Sequence, residues 1–235
     1  KFGAKTEYCE SVGVDFNAEI KKVVTSCGDY HAKSVIIASG ADPRKLGIDG
    51  EEKLIGRGIH YCAHCDGRFY KDKTVIVVGG GNSAAADALY LSRIARKVYI
   101  VHRRNKLRAA EIYQKSISKT ENIEILWDCE LEKLIADDRV NGAKIKNVNT
   151  GDVTDINCDG IFISIGREPL TSFLNGAVKT DSNGYIIAGE TTKTDIDGVF
   201  AAGDVRTKAL RQAVTAAADG AVAAHFAERY ISQAE

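Results

Sequence analysis

The spacing of apolar residues along this chain predicts strands and helices that alternate in its middle part. Apolar runs predict strands at 34–38, 74–78, 97–101, 123–127, 160–166 and 199–204. The runs at 34–38, 74–78 and 160–166 are continuous, which is typical of strands buried on both faces. Helices are predicted at 82–93 and 107–119. The resulting order strand–helix–strand–helix–strand favours a parallel sheet with right-handed crossovers.

Shorter segments of alternating polarity predict antiparallel strands outside that middle part. An edge pair is predicted at 19–24 and 30–32, and three more strands are predicted at 131–135, 143–148 and 153–156. The Ala-rich stretch from Gln212 to Tyr230 predicts a long final helix. Residues 41–58 are rich in Asp, Gly and Lys and contain Pro43, which indicates a linker and a first domain boundary.

Composition excludes several classes of protein. Hydrophobic residues make up 44% and charged residues 27% of the 235 positions, which excludes disorder and collagen-like repetition. Lys plus Arg and Asp plus Glu both number 32, so no net charge attracts nucleic acid or anionic lipid. No apolar run approaches the ~20 residues that span a bilayer, so we expect no membrane span. The chain begins at Lys1 and contains no methionine, so we expect it to be processed or part of a longer protein.

A glycine-rich turn lies between the predicted strand at 74–78 and the helix after it. Such a turn lets a backbone approach a pyrophosphate closely, and the following helix presents free N–H groups to it. Because strand and helix flank the motif, we predict dinucleotide binding rather than a simple turn. The residues concerned are Gly79, Gly80, Gly81, Asn82, Ser83 and Ala84.

The end of the next strand indicates which nucleotide is bound. A unit that prefers NAD usually carries Asp or Glu there, about 20 residues after the glycines, to bond the ribose 2′-hydroxyl. This chain carries no carboxylate there, and the guanidinium groups can hold a 2′-phosphate through forked hydrogen bonds. NADP(H) is therefore favoured over the alternative of a solvated basic turn. The residues are His102, Arg103, Arg104 and Arg108.

A C-x-x-C motif precedes the glycine turn, at Cys62 and Cys65. Six cysteines are too few for a disulfide scaffold in a chain of this length, and the motif suggests redox or metal chemistry in a reducing compartment. A structural zinc site needs four ligands, and the other four cysteines are isolated in sequence. A reducible disulfide is favoured, with zinc and a purely structural disulfide as alternatives. Asp66 is the first candidate for a proton donor and His64 the second.

A weaker signal lies near the end of the chain. Asp204 follows a predicted strand, where a carboxylate suits a polyol hydroxyl, and backbone N–H groups near the start of the last helix can meet a flavin edge. The residues concerned are Gly203, Asp204, Arg211, Gln212 and Ala213. The isolated His31, His60 and His225 are interpreted as surface or satisfied residues.

In this order the motifs resemble those of the bacterial-type, low-molecular-weight thioredoxin reductases, along the whole chain. The segments concerned are Ile36–Gly40, Tyr61–Gly67, Val77–Ala84, His102–Ala109, Ala201–Val205 and Arg211–Ala213. The resemblance implies a two-domain Rossmann-like pyridine nucleotide–disulfide oxidoreductase fold. An NADPH domain at 45–168 would be inserted in an FAD domain made of 1–44 and 169–235, with hinges near Asp42–Glu52 and Arg167–Leu170.

The resemblance also implies a mechanism. NADPH would bind the glycine turn and the arginines and reduce FAD, and FAD would reduce the Cys62–Cys65 disulfide. Cys65 would face the flavin, Cys62 would attack the disulfide of thioredoxin, and Asp66 would be the acid. FAD would contact Ala38, Ser39 and Gly40 as well as the residues from Gly203 to Ala213 named above. The family further implies a cytoplasmic homodimer without a metal.

Two departures from the family pattern matter. His64 stands where many members have Thr, which we expect to alter the redox potential rather than the role. The segment that binds the FAD pyrophosphate in the family is not found in this sequence, so a polypeptide starting at Lys1 is expected to bind NADPH, hold little FAD and leave the faces at 35–38 and 199–202 partly uncovered. The remaining alternatives are an NADPH flavoprotein with another electron acceptor and a nucleotide-binding module without catalysis.

Overall fold

The computed structural model describes residues 3–233. The strands are β1 (Ser11–Asp15), β2 (Lys21–Thr25), β3 (Gly28–Ala32), β4 (Val35–Ile37), β5 (Ala41–Pro43), β6 (Ile59–His60), β7 (Thr74–Val78), β8 (Lys97–His102), β9 (Ile123–Trp127), β10 (Cys129–Ala136), β11 (Val140–Asn147), β12 (Val153–Asn157), β13 (Gly160–Ile163), β14 (Arg167–Pro169) and β15 (Val199–Ala201). The helices are α1 (Ala63–Asp66), α2 (Asn82–Ser92), α3 (Glu111–Ser118) and α4 (Ala213–Gln233). The chain forms two units: unit 1 contains Lys1–Asp42 and Arg167–Glu235, and unit 2 contains Pro43–Gly166.

Unit 2 is built on a five-stranded sheet with the strand order β6-β13-β7-β8-β9. Its neighbouring strands are parallel, as the alternation of strands and helices predicts. All five residues of β7 are buried, because alternate side chains enter two separate cores. Val75 and Val77 pack with α2 on one face. Ile76 and Val78 pack on the other face with the antiparallel sheet β10-β11-β12, which is also predicted from the sequence.

Helix α3 is shorter than predicted, because it begins at Glu111 rather than near residue 107. The backbone N–H groups of Arg108 and Ala109 both donate to the carbonyl oxygen of Gly80, at 2.7 and 3.1 Å. These N–H groups are therefore used to fasten the segment to the glycine turn instead of starting a helix.

Unit 1 contains the antiparallel sheet β1-β2-β3, the parallel pair β4 and β15, the pair β5 and β14, and helix α4. Strands β2 and β3 are the edge pair that the sequence predicts, whereas β1 is not predicted. Cys9 and Cys27, which look isolated in sequence, form a disulfide beside this sheet. It joins the segment before β1 to the turn between β2 and β3.

Two expectations about burial and one about a linker differ from the structure. Strand β4 is not buried on both faces, because Ile36 is 40% exposed and lines an open cavity; the partial exposure expected at 35–38 is therefore observed. Strand β15 and Ala202 are buried, contrary to expectation: Phe200 and Ala202 pack against α4, whereas Val199 and Ala201 face a second core. The segment 41–58 is not a simple linker. Its Glu51 is buried and accepts the backbone N–H groups of Leu46 and Gly47.

Candidate active site

The C-x-x-C motif forms a disulfide at the start of the short helix α1 in unit 2. Cys62 and Cys65 are bonded to each other through their sulfur atoms, and their Cα atoms lie 5.3 Å apart. Cys62 is the N-cap of α1, and its sulfur accepts the backbone N–H of Cys65 at 3.2 Å. A donor aimed at this sulfur would stabilise negative charge on it once the disulfide opens. Cys65 is exposed and Cys62 is partly exposed, so both sulfurs lie near the surface of the unit.

The two candidate proton donors have different surroundings. The Asp66 carboxylate lies 3.1 Å from Nδ1 of the buried His60 and keeps about a third of its side chain exposed. The ring of His64 stacks on Tyr90 at 4.2 Å between centroids, and its Nδ1 lies 4.0 Å from a carboxylate oxygen of Asp87. The structure therefore brings Asp66 to a buried partner that sequence reasoning overlooked, and places His64 against α2.

The glycine turn, which is predicted to bind a dinucleotide, is tightly packed at two of its three glycines. A Cβ on Gly79 would lie 2.4 Å from the Ser164 carbonyl oxygen, and one on Gly80 would lie 2.2 Å from the His102 ring, so neither position tolerates a side chain. A Cβ on Gly81, in contrast, would meet no described atom within 4 Å, so the space over this residue is open. Helix α2 follows directly, and its first N–H groups have no intrahelical partner. These residues fit a bound pyrophosphate.

The basic turn after β8 lies beside that glycine turn. The two backbone bonds to the Gly80 carbonyl hold it there, together with the bond from Ala110 N–H to the Asn82 side chain at 2.8 Å. The side chains of Arg103, Arg104 and Arg108 are exposed. His102 differs from them: its ring is buried under Gly80 and bonded to the Lys106 carbonyl oxygen at 3.0 Å. Burial lowers the pKa of His102, and the nearby arginines lower it further.

Five of the residues predicted to meet a flavin line a cavity of about 500 Å³ in unit 1. Oδ1 of Asp204 is buried and has no hydrogen-bond partner among residues 3–233. A ligand hydroxyl at this position would satisfy it, so the cavity fits a polyol such as the ribityl chain of a flavin. The predicted residues that line the cavity are Ala38, Ser39, Gly40, Gly203 and Asp204.

The other residues of that prediction lie outside the cavity lining. Arg211 and Gln212 precede α4 and Ala213 is its first residue. The guanidinium of Arg211 stacks on the Tyr185 ring at 4.0 Å, and its Nε is buried without a partner in the described chain. Arg211 is thus held by an aromatic ring and retains one unused donor.

Residues 3–233 contain no group of three or more His, Cys, Asp or Glu side chains that could hold an ion. Of the remaining cysteines, Cys158 is buried, and burial raises the pKa of its thiol to about 12. No helix between residues 3 and 233 is both long and apolar enough to cross a bilayer.

A glycine-rich strand–helix turn and a disulfide in one unit, with a cavity in the other, are the features expected of a pyridine nucleotide–disulfide oxidoreductase. Comparison with known proteins agrees. Residues 2–220 match the family described as pyridine nucleotide-disulphide oxidoreductase, and the chain belongs to this family of oxidoreductases. The fold predicted from the sequence is thereby confirmed.

The similar proteins are named thioredoxin reductases. The chain is 46% identical to the one from Listeria monocytogenes, with 99% of this chain and 73% of the relative covered. It is 44% identical to that of Peptoclostridium litorale, covering 99% of this chain and 76% of the relative. The crystal structure of thioredoxin reductase from Streptococcus pyogenes superposes with a TM-score of 0.91 at 42% identity, over 96% of this chain and 74% of that one. The chain spans about three quarters of the length of these relatives.

Proposed function

We propose that this chain functions as an NADPH-dependent, FAD-containing reductase that reduces the disulfide of thioredoxin. The observation that carries the proposal is the disulfide between Cys62 and Cys65, which lies in the same unit as a dinucleotide-type glycine turn. The names of the relatives supply the acceptor, thioredoxin, and the family resemblance further suggests a cytoplasmic homodimer. FAD, when bound, would relay the electrons of NADPH to the disulfide.

Each residue has a part in this proposal. The turn from Gly79 to Ala84 holds the pyrophosphate, and the exposed Arg103, Arg104 and Arg108 hold the 2′-phosphate. Asp204 and the segment from Ala38 to Gly40 hold the flavin. In the dithiol form Cys62 keeps the backbone donor of Cys65, which favours its thiolate, so Cys62 is the sulfur that attacks thioredoxin. Asp66 supplies the proton, and Cys65 closes the disulfide again.

The assignment of the two sulfurs is tested by trapping a mixed disulfide. We expect Cys65→Ser to form a mixed disulfide with oxidised thioredoxin through Cys62, detected as a mass increase when rapid alkylation blocks the thioredoxin thiol that the attack releases. Cys62→Ser is the matched control and is expected to form little of it. The full pathway is tested with FAD and NADPH added: two thiols should appear at Cys62 and Cys65 by alkylation and mass spectrometry. Adducts on Cys65 alone would contradict the assignment, and no NADPH-dependent thiols in protein that has bound FAD would contradict the function.

The nucleotide preference is tested by titration, followed through the single tryptophan, Trp127, whose ring lies 6.3 Å from that of His102. Charge-assisted hydrogen bonds are worth about 1.5–3 kcal/mol each, so Arg104→Ala should weaken NADPH binding about ten- to 150-fold. NADH binding should not change. Arg93→Ala removes an exposed arginine at the far end of α2 and serves as the control. Equal affinity of the unaltered protein for NADPH and NADH would refute the preference.

A further inference from the structure

His60 lies at the end of β6 with 7% of its surface exposed, and both of its ring nitrogens have partners. Nδ1 lies 3.1 Å from Oδ2 of Asp66, and Nε2 lies 2.6 Å from the hydroxyl of the buried Tyr70. The ring also stacks on Phe162 at 5.2 Å between centroids. The position of this imidazole is therefore fixed on three sides.

The partners also fix which nitrogen carries the hydrogen. Burial lowers the pKa of His60, with Asp66 opposing the shift, so the ring is neutral near pH 7. A carboxylate only accepts hydrogen bonds, so Nδ1 must be the protonated nitrogen that donates to Asp66. Nε2 of the neutral ring then accepts, and the Tyr70 hydroxyl donates to it. Burial raises the pKa of Tyr70 to about 12, so the hydroxyl keeps its proton.

The charged groups around the network do not reverse this arrangement. Asp66 is the ionisable group that acts on the His60 ring. Those that act on Tyr70 besides Asp66 are Arg139, Cys158 and Asp159. Arg139 lowers the pKa of Tyr70 and so favours the ionised phenol, whereas Cys158 and Asp159 raise this pKa. Tyr70 therefore remains a donor to Nε2.

We propose that His60 is a positioning residue that holds Oδ2 of Asp66, so that the proton which Asp66 delivers to the redox-active cysteines is carried by Oδ1. The inference rests on the role of Asp66 in the proposed function. The bond from Nδ1–H to Oδ2 is compatible with both states of Asp66, since Oδ2 is a carboxylate oxygen in one and a carbonyl oxygen in the other. The acid thus changes protonation without losing its orientation.

The step can be observed without a flavin by reducing the disulfide with dithiothreitol. A dithiothreitol thiol gives its proton to Oδ1 of the Asp66 carboxylate and attacks one sulfur as the thiolate. The bond between Cys62 and Cys65 breaks, and the departing sulfur takes that proton from Oδ1. The second dithiothreitol thiol then displaces the remaining sulfur, and dithiothreitol leaves as its cyclic disulfide. Rates are measured by quenched alkylation and peptide mass spectrometry. The Cys9–Cys27 disulfide lies in unit 1 and is the internal control.

The variants separate the two nitrogens of His60. His60→Asn places an amide N–H near the position of Nδ1, and His60→Gln places its amide near Nε2. Positioned acids contribute about 10²–10⁴ in rate, so loss of orientation in His60→Gln should slow reduction of Cys62–Cys65 at least about tenfold. In His60→Asn, the rate of this reduction should lie within about threefold of the rate in the unaltered protein. Reduction of Cys9–Cys27 should not change in either variant.

Action through Asp66 is tested by a double-mutant cycle. Reduction of the Cys62–Cys65 disulfide should be at least as slow in Asp66→Asn as in His60→Gln. In the variant that carries both changes, it should be no slower than in Asp66→Asn alone. Equal slowing by the two His60 variants, or additive slowing in the double variant, would overturn the inference. These rates need neither NADPH nor FAD, so a failure of NADPH-driven thiol formation would refute the proposed function without touching this result.

A measurement on the unaltered chain guards against variants that do not fold. In ¹⁵N spectra of the imidazole rings, His60 should show a protonated Nδ1 and an unprotonated Nε2 at pH 7. Tyr70→Phe keeps the Asp66 carboxylate that enforces this tautomer, so Nδ1 should stay protonated in this variant. A protonated Nε2 in the unaltered protein would overturn the inference.

Discussion

The buried carboxylate of Asp219 in α4 provides the most stringent test of how unit 1 is held together. Its two oxygens accept from Nε and Nη2 of Arg206 at 2.9 and 2.8 Å, and from Nζ of Lys208 at 2.7 Å. The Gly203 N–H donates to the same carboxylate at 3.0 Å. Asp219 therefore fastens α4 to the turn that carries Asp204.

Replacing Asp219 by Asn leaves the charge of Arg206, which is 7% exposed, without its counter-ion. Breaking one side of a buried ion pair costs about 3–5 kcal/mol. With a urea m-value of about 2 kcal/mol/M, the midpoint of unfolding for unit 1 should fall by about 1.5–2.5 M. The control, Asp29→Asn, removes the exposed partner of Lys22 in the same unit and should cost at most about 1 kcal/mol.

Two signals assign the loss to the correct unit. Far-UV circular dichroism reports both units, whereas the fluorescence of Trp127 reports unit 2. The Arg206 guanidinium holds the pKa of Asp219 well below its usual range. The stability that it contributes is present above pH ~4 and is lost as the pH falls through the depressed pKa, so Asp219→Asn should lack this acid sensitivity. A midpoint that falls no further than in Asp29→Asn, or an unchanged acid sensitivity, would refute the reasoning.

Two other predictions concern the glycine turn and the second disulfide. Gly80→Ala would place a Cβ against the buried His102 ring, so it should destabilise unit 2 by about 1–3 kcal/mol and weaken NADPH binding. Gly81→Ala is the control and should fold normally, because a Cβ there meets no described atom. Unfolding followed by Trp127 fluorescence measures both variants. Cys9→Ser opens a loop with a sequence separation of 18 and should cost unit 1 about 3 kcal/mol in urea unfolding, and an unchanged midpoint would show that the Cys9–Cys27 bond does not contribute.

The sequence alone predicted the middle of unit 2 well. Residues 74–127 alternate between apolar runs and Ala- and Leu-rich segments, and both the parallel sheet and α2 follow that pattern. The start of α3 was predicted too early, because the bonds from Arg108 and Ala109 to the Gly80 carbonyl replace local helical bonds. Burial of β4 was also overestimated, because an apolar run does not show which other elements pack against the two faces of the strand.

The candidate site divides in the same way. Some groups that act together are neighbours in sequence, so their chemistry can be predicted from the sequence. These are the glycine turn, the arginines after β8, the Cys62–Cys65 pair and Asp66. The contact of His60 with Tyr70, the ion pair of Arg206 with Asp219 and the Cys9–Cys27 disulfide join residues 10 to 18 positions apart. No local pattern encodes these pairs. They depend on how strands and helices pack. Burial lowers the pKa of His60, whereas the hydrogen bonds of Arg206 lower the pKa of Asp219.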